Sequence, residues 1–480
     1  MYKFKTEPFE HQREALKDSW SAEFHALFME MGTGKSKVVI DNVGVLYERN
    51  DVDAVLIVAP KGVYDNWVRG EIPLHLPDRI KRLVVRWTPS ASKKFKGVLE
   101  ALNKQPFDGV KFFVMNVEAF SSARGARAAG MFLYHNKNNM MVVDESTTIK
   151  NRKAQRTKNL MELTKYSKYR RILTGSPVTK SPLDLYSQCN FLDERSLGYQ
   201  SFFAFQNRYA IVQTRVMGAR SFQEITGYRR LDELNERLFS FSTRVLKDEC
   251  LDLPEKMYIR RNVPLTMEQS KVYAQMNSLA LAHLNDDKVA TTASVLTQIM
   301  RLQQICCGSF QPDVGDLQEL KNKRLPELMD IVDEVSGKAI IWATYTNDIQ
   351  RIAHALRDRF GPESVATYYG ATPQKERQEI VNRFQDEDSP LRFFVGQPKT
   401  GGYGITLTAA NTVIYYSNSY DLEIRLQSED RAHRIGQRNP VTYIDLVSPN
   451  TIDETILDAL RNKINLAGQV LKEDVKAWLR

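Results

Sequence analysis

The feature that most constrains this fold is a repeated alternation. Short apolar runs rich in Val, Ile and Leu, each closed by turn residues, are separated by helical stretches. Such runs read as parallel strands buried on both faces, and their alternation with helices reads as βαβ units. One set is VDAVLIVAP (52–60), VKFFVMN (110–116), NMMVVDES (139–146) and RRILTGSP (170–177). A second is GKAIIWATY (337–345), SVATYYG (364–370), LRFFVGQP (391–398), TVIYYSN (412–418) and VTYIDLV (441–447). The expectation is an α/β protein with two tandem parallel-sheet lobes, residues 1–180 and 331–480. Residues 181–330 read as a mainly helical insertion and linker, and 452–480 as a helix closing the second lobe. LPELMDIVDEV (325–335) places Leu325, Leu328, Met329, Val332 and Val335 on one helical face.

The chain's 480 residues suffice for such lobes, at roughly 100–200 residues per domain. Hydrophobic residues at 42% and charged residues at 26% exclude a disordered or collagen-like chain. The net charge of +9 favours a polyanionic partner. Cys189, Cys250, Cys306 and Cys307 form no C-x-x-C pair, which argues against a zinc site, and they are too few for a disulfide framework. The first residues carry no apolar signal segment, and no apolar run reaches the ~18 residues that span a bilayer. An intracellular, cytoplasmic protein without a membrane partner is expected.

MEMGTGKSKVV (29–39) is the sharpest local signal. Gly32, Thr33, Gly34, Lys35 and Ser36 form a glycine-rich turn that opens a helix. Glycine lets backbone N–H groups approach phosphate, and the helix N-terminus adds partial positive charge. Lys35 is placed to reach the β and γ phosphates of ATP, and Ser36 to bind Mg²⁺. Met29 stands where the strict phosphate-loop pattern has glycine. VVDES (142–146) delivers Asp144 and Glu145 to a strand tip. Asp144 suits Mg²⁺, and Glu145 suits the orientation and deprotonation of an attacking water. LTGSP (173–177) ends another strand, where Thr174 and Ser176 are candidates for coupling the site to a second surface.

With these motifs the chain resembles the SWI/SNF-type DNA-dependent ATPases of helicase superfamily two over nearly its whole length. PFEHQREAL carries Gln12 where that family places an adenine-reading glutamine. MGTGKS is similar to its phosphate loop, which also lacks the first glycine. VAPKGVYDNW (58–67), DESTTIKN (144–151) and LTGSP are similar to its following motifs. GYRRLDELNERLFSFSTRVLKDECLDLPEK (227–256) is similar to the family's helical insertion and linker. VGQPKTGGYGITLTAANTVIYYSNSYDLEIRLQSEDRAHRIGQR (395–438) resembles its most distinctive stretch. There Gly401, Gly402 and Gly404 permit a tight loop, with Gly404 expected at the nucleotide, and Gln427 is a coupling candidate. Arg431 and Arg434, three apart, are expected on one helical face as arginine fingers, since guanidinium stays charged and binds phosphate oxygens bidentately.

The resemblance implies tandem RecA-like lobes. ATP and Mg²⁺ would be held by Gln12, Lys35, Ser36, Asp144 and Glu145 of one lobe and met by Arg431 and Arg434 of the other. It further implies a DNA translocase that tracks duplex phosphates without sequence specificity and remodels protein–DNA complexes or branched intermediates. A strand-separating DNA or RNA helicase and a nucleotide-dependent clamp without turnover are the alternatives. A monomer suffices for this mechanism. The family match is to a bare motor, of the sort bacterial or phage genomes carry, with recruiting proteins unspecified. Two departures stand out: Ser146-Thr147 replaces Ala-His or Gly-His, and Ser419-Tyr420-Asp421 replaces Trp-Asn-Pro.

DNA contacts are expected at Lys61, at Lys150 and Arg152 in the run KNRKAQRTK (150–158), and at Lys399 and Thr400. The same basic run also reads as a solvated face. Arg208, Arg215, Arg220, Arg229 and Arg230 interleave with Phe202, Phe203, Phe205, Tyr209 and Tyr228. That mixture reads either as a single-strand stacking surface or as a helical core with surface charges. Trp67 and Trp342 read as core, Cys306 and Cys307 as buried thiols, and His433 as a packing residue.

Overall fold

The computed structural model describes residues 2–472 apart from 91, 218–219, 286–291, 311, 313–315 and 402–403. It divides into two compact units: Met1–Val212 with Ile225–Asp252 and Leu466–Glu473, and Gln213–Glu224 with Leu253–Asn465 and Asp474–Arg480. Among the described residues no helix is long and apolar enough to cross a membrane.

The first unit is built on seven strands: β1 (Phe24–Met29), β2 (Ala54–Ala59), β3 (Arg82–Arg86), β4 (Val110–Asn116), β5 (Asn139–Asp144), β6 (Tyr169–Leu173) and, beyond an intervening hairpin, β9 (Ser242–Val245). Their order is β3-β4-β2-β5-β6-β1-β9, and every pairing is parallel. The twofold period of a strand explains why both faces are buried. Ala54, Leu56 and Val58 point into one apolar layer with Phe113, Met141 and Ile172. Val55, Ile57 and Ala59 point into the other with Val38, Ile40 and Trp67. Ser92, Ser122 and Ser201 start three covering or flanking helices by accepting the N–H of Phe95, Gly125 and Ala204.

Among the described residues the strands β7 (Ala210–Met217) and β8 (Arg220–Tyr228) pair only with each other. Within the insertion expected to be mainly helical, residues 199–215 are therefore helical only over Phe202–Tyr209. Ile211, Val212, Thr214 and Val216 supply the β-branched residues that favour a strand after it.

The second unit holds β10 (Lys256–Asn262) and, after the short antiparallel pair β11 (Ser309–Phe310) and β12 (Gln318–Glu319), β13 (Lys338–Trp342), β14 (Val365–Tyr368), β15 (Phe393–Gly396), β16 (Ala410–Tyr415) and β17 (Val441–Val447). Its sheet, in order β10-β17-β16-β13-β15-β14, is also wholly parallel. Ala339 and Ile341 face one layer, Ile340 and Trp342 the other. The helix Arg324–Glu334 buries Leu328, Ile331 and Val332, with Leu325, Met329 and Val335 packed at the edge of the same layer.

Residues 181–330, read as an insertion, are thus divided between the units, and they contribute β9 to one sheet and β10 to the other. The helix Ile452–Leu471 was expected to close the second lobe, yet its last turn belongs to the first unit. Val470 and Leu471 bury with Leu234 and Leu238 there, and Asn235 Nδ2 donates to the Val470 carbonyl at 2.9 Å. Residues 473–480 of the expected helix lie outside the described residues.

Candidate functional site

In the first unit the loop after β1, the tip of β5 and the turn after β6 lie at the carboxyl ends of the strands, the edge at which open α/β sheets bind ligands. Gly32 and Gly34 adopt φ of 83° and 91°, a region favourable only to glycine. Gly34 is the residue from which the helix Lys35–Glu48 starts. A Cβ there would collide with the Gln12 amide, which covers the loop. Gln12 Nε2 donates to the Thr33 carbonyl at 3.0 Å, and its Oε1 accepts the Phe9 N–H at 3.1 Å. Lys35 is buried and donates to the carbonyls of Met29 at 2.8 Å and Glu30 at 3.1 Å. Its ammonium therefore folds over the loop, while Ser36 is half-buried in the first turn of the helix.

Asp144 and Glu145 are both buried at the end of β5. Asp144 Oδ2 accepts the Trp67 indole N–H at 2.8 Å, and Oδ1 accepts the Glu145 N–H at 3.0 Å. Burial pushes the Asp144 carboxyl above its ordinary range, against the opposing pull of the Trp67 N–H and the Lys35 charge. Glu145 sits at φ 48°, a left-handed conformation that costs a non-glycine residue of order 1–3 kcal/mol. The strained turn leads into Ser146, whose hydroxyl donates to Gln188 Oε1 at 2.7 Å. Gln188 Nε2 in turn donates to the Pro177 carbonyl at 2.9 Å, so the acidic turn is tied to the LTGSP turn. Thr174 is buried, its N–H donates to the Leu27 carbonyl at 3.2 Å, and its hydroxyl accepts the Ser176 N–H at 3.1 Å. Arg244 on β9 donates to the carbonyls of Phe28 at 2.9 Å and Gly175 at 3.0 Å, joining this turn to β1.

In the second unit Arg431 and Arg434 follow the helix Leu422–Glu429. They lie in turns, not on the helical face expected from their spacing, because the helix ends at Glu429. They nonetheless converge: Arg431 Nη1 donates to the Ile405 carbonyl at 3.0 Å and Arg434 Nη1 to the same oxygen at 3.4 Å. Arg431 Nε also donates to the Gln427 carbonyl at 2.8 Å. Gln427 is buried, and its amide faces Glu423 at 3.3 Å. Behind this loop lies a buried charge network. Arg425 donates to Glu429 at 2.8 Å and to both oxygens of Asp445 at 2.6 and 3.0 Å, and its guanidinium lies 3.5 Å from the Tyr415 ring centroid. Tyr258 donates to Glu429 at 2.9 Å, and Lys256 lies 3.5 Å from it. His433 is buried against the Pro254 carbonyl at 2.7 Å, in keeping with a packing residue.

Gly401 packs on the Trp342 ring, where a Cβ would come within 2.6 Å. Gly404 takes φ 74°, and Gly402 lies outside the described residues. Of the expected DNA contacts, Lys61 and Lys399 are exposed. Thr400 donates to Gln397 Oε1 at 3.2 Å and Lys150 to Thr179 Oγ1 at 2.6 Å. Arg152 instead lies over two rings, 4.3 Å from the Phe202 centroid and 5.3 Å from that of Phe203.

Sequence reasoning placed Trp67 in the core, which is correct for its ring, but missed its indole N–H on Asp144. The bond joins residues 77 positions apart, so no local pattern around Trp67 announces it.

A family profile described as an SNF2-related domain matches residues 11–311, and one described as a helicase conserved C-terminal domain matches 320–436. The chain is 26% identical over 429 residues to a putative ATP-dependent helicase/translocase, YwqA, of Bacillus subtilis (strain 168), covering 87% of this chain and 43% of that protein. It is 26% identical over 462 residues to the DNA annealing helicase and endonuclease ZRANB3 of Bos taurus, covering 93% of this chain and 39% of that protein. The chain thus spans about two fifths of the length of these curated relatives. A solved Sulfolobus solfataricus SWI2/SNF2 ATPase core in complex with dsDNA is similar at 23% identity and a TM-score of 0.44, covering 98% of this chain and 94% of that one.

Proposed function

The chain belongs to the SNF2-related family, and on that premise we propose that it is a DNA-dependent ATPase that moves along duplex DNA. The observation that carries the reading is the buried acidic pair at the tip of β5 beside a lysine-bearing glycine loop. The residues fit ATP and Mg²⁺ on physical grounds. Asp144 is a desolvated carboxylate, raised by burial against the Trp67 N–H and the Lys35 charge, and a divalent cation would favour its ionised form. Lys35 is held by two carbonyls that a phosphate oxygen can replace.

Bound Mg²⁺ would neutralise charge on the β and γ phosphates. Ser36 and Asp144 hold the ion, and Trp67 fixes the Asp144 carboxylate. Lys35 and the loop N–H groups bind the phosphates. Glu145 orients the attacking water and takes its proton. Gln12 contacts the base, and Gly404 borders the nucleotide. Arg431 and Arg434 offset charge on the leaving phosphoryl group, a contribution worth roughly 10³–10⁵ in rate in comparable motors. Thr174 and Gln427, each buried beside its own unit's catalytic loop, relay the nucleotide state to the DNA-gripping surfaces.

Lys61, Lys150, Lys399 and Thr400 supply phosphate contacts, so DNA is held without sequence specificity. The motor works as a monomer inside the cell, recruited by partners outside this chain. Its substrates are protein–DNA complexes or branched replication, recombination and repair intermediates. Phosphate release titrated with duplex DNA, single-stranded DNA and RNA tests the reading. Duplex DNA is expected to stimulate turnover most, and no stimulation by any of the three would overturn it.

A further inference from the structure

The helix Phe202–Tyr209 buries Phe205 and Tyr209 completely, as an aromatic core does, but leaves Phe203 at 63% exposure. A single exposed Phe is ordinary. This one differs in its neighbour, because the Arg152 guanidinium lies 4.3 Å from the Phe202 ring and 5.3 Å from the Phe203 ring. Arg152 belongs to the run 150–158, which has five Lys or Arg and no Asp or Glu. Among the described residues neither Arg152 nor Lys153 nor Lys158 pairs with a carboxylate. The surface therefore offers a largely exposed Phe203 ring, with Arg152 at its side, beside cations that no carboxylate neutralises among the described residues.

That combination suits one polyanion in particular. Within a duplex each base face is covered by its neighbours, so an aromatic side chain finds stacking partners only where bases are unpaired, while the cations hold the phosphates. The run is also tied to the acidic turn. Lys150 Nζ bonds Thr179 Oγ1 at 2.6 Å, and Gln188 links Ser146 to Pro177 two residues earlier.

We propose that Phe203 and Arg152 form a platform on which an unpaired strand stacks, so that the motor prefers forked or branched DNA to plain duplex. This deepens the reading of the chain as a DNA motor and rests on it. The test measures DNA affinity and DNA-stimulated ATPase on a blunt duplex and on the same duplex with a single-stranded arm. The wild type should favour the forked substrate. Phe203→Ala should weaken forked-DNA binding about tenfold, with blunt-duplex binding and stimulation unchanged, and Phe203→Trp should keep the preference. Equal loss on both substrates, no loss on either, or a wild type indifferent to the arm would overturn the platform while leaving the motor intact. A protein stimulated by no DNA would overturn both.

Discussion

Two buried aspartates show how differently the units handle charge. Asp445 in the second unit is saturated: Arg425 grips both its oxygens, and Asn418 donates to one of them at 2.6 Å. Burial alone would lower the Arg425 guanidinium pKa, yet Asp445, Tyr415 and Glu429 hold it well above its usual value. Asp144 in the first unit receives two neutral N–H groups, and burial leaves its carboxyl raised. A buried pair with matched charges is a scaffold, here one that fixes the loop bearing Arg431. A buried carboxylate that stays raised despite the nearby Lys35 charge gains from a further cation.

The contrast predicts separable effects. The largest is on chemistry: Lys35→Ala should cut DNA-stimulated phosphate release by about 10³-fold or more, with the folded state intact by circular dichroism. Retained turnover would remove Lys35 from phosphate binding. The next is on stability. Arg425→Ala removes the buried guanidinium shared by Asp445 and Glu429 and should lower the unfolding free energy by about 3–5 kcal/mol in a denaturant titration. A neutral result would mean that the network is not a scaffold.

A smaller change sharpens the other side. Trp67→Phe removes an N–H that lowers the Asp144 pKa, so Mg²⁺ half-saturation of the ATPase should weaken about tenfold. The weakening should grow as pH falls, because the protonated carboxyl binds no metal. The smallest effect is Asp144→Asn on stability. A carboxyl whose folded pKa is raised favours the fold at low pH and loses that contribution as pH rises through the folded value. The neutral variant should therefore be the more stable at neutral pH, with a flatter pH dependence in the acid range. A loss at neutral pH would show Asp144 to be compensated after all.

Much of this was readable from the chain because it follows local rules. Gly-Thr-Gly-Lys-Ser before a helix and Asp-Glu after an apolar strand are short-range patterns, and both sheets follow from runs such as AVLIVA and KAIIW. What stayed hidden depends on distant partners. RLVVR and STRV are too short or too charged to announce β3 and β9, and KMYIRRN joins the edge of the second sheet only through β17, some 180 residues on. The spacing of Arg431 and Arg434 implied a helix that ends at Glu429 instead, and the bond from Trp67 to Asp144 spans 77 positions. Phe203 looked like its neighbours until packing separated it from Phe205 and Tyr209.

In the proposed reaction the Glu145 carboxylate and the Arg434 guanidinium both act on ATP. Its most direct test is to measure ATP affinity and duplex-stimulated turnover for Glu145→Gln and Arg434→Ala side by side. Both variants should bind ATP and both should lose turnover, by at least about 10³-fold for Arg434→Ala. An Arg434→Ala enzyme within about tenfold of wild type, beside an inactive Glu145→Gln, would remove Arg434 from the proposed reaction.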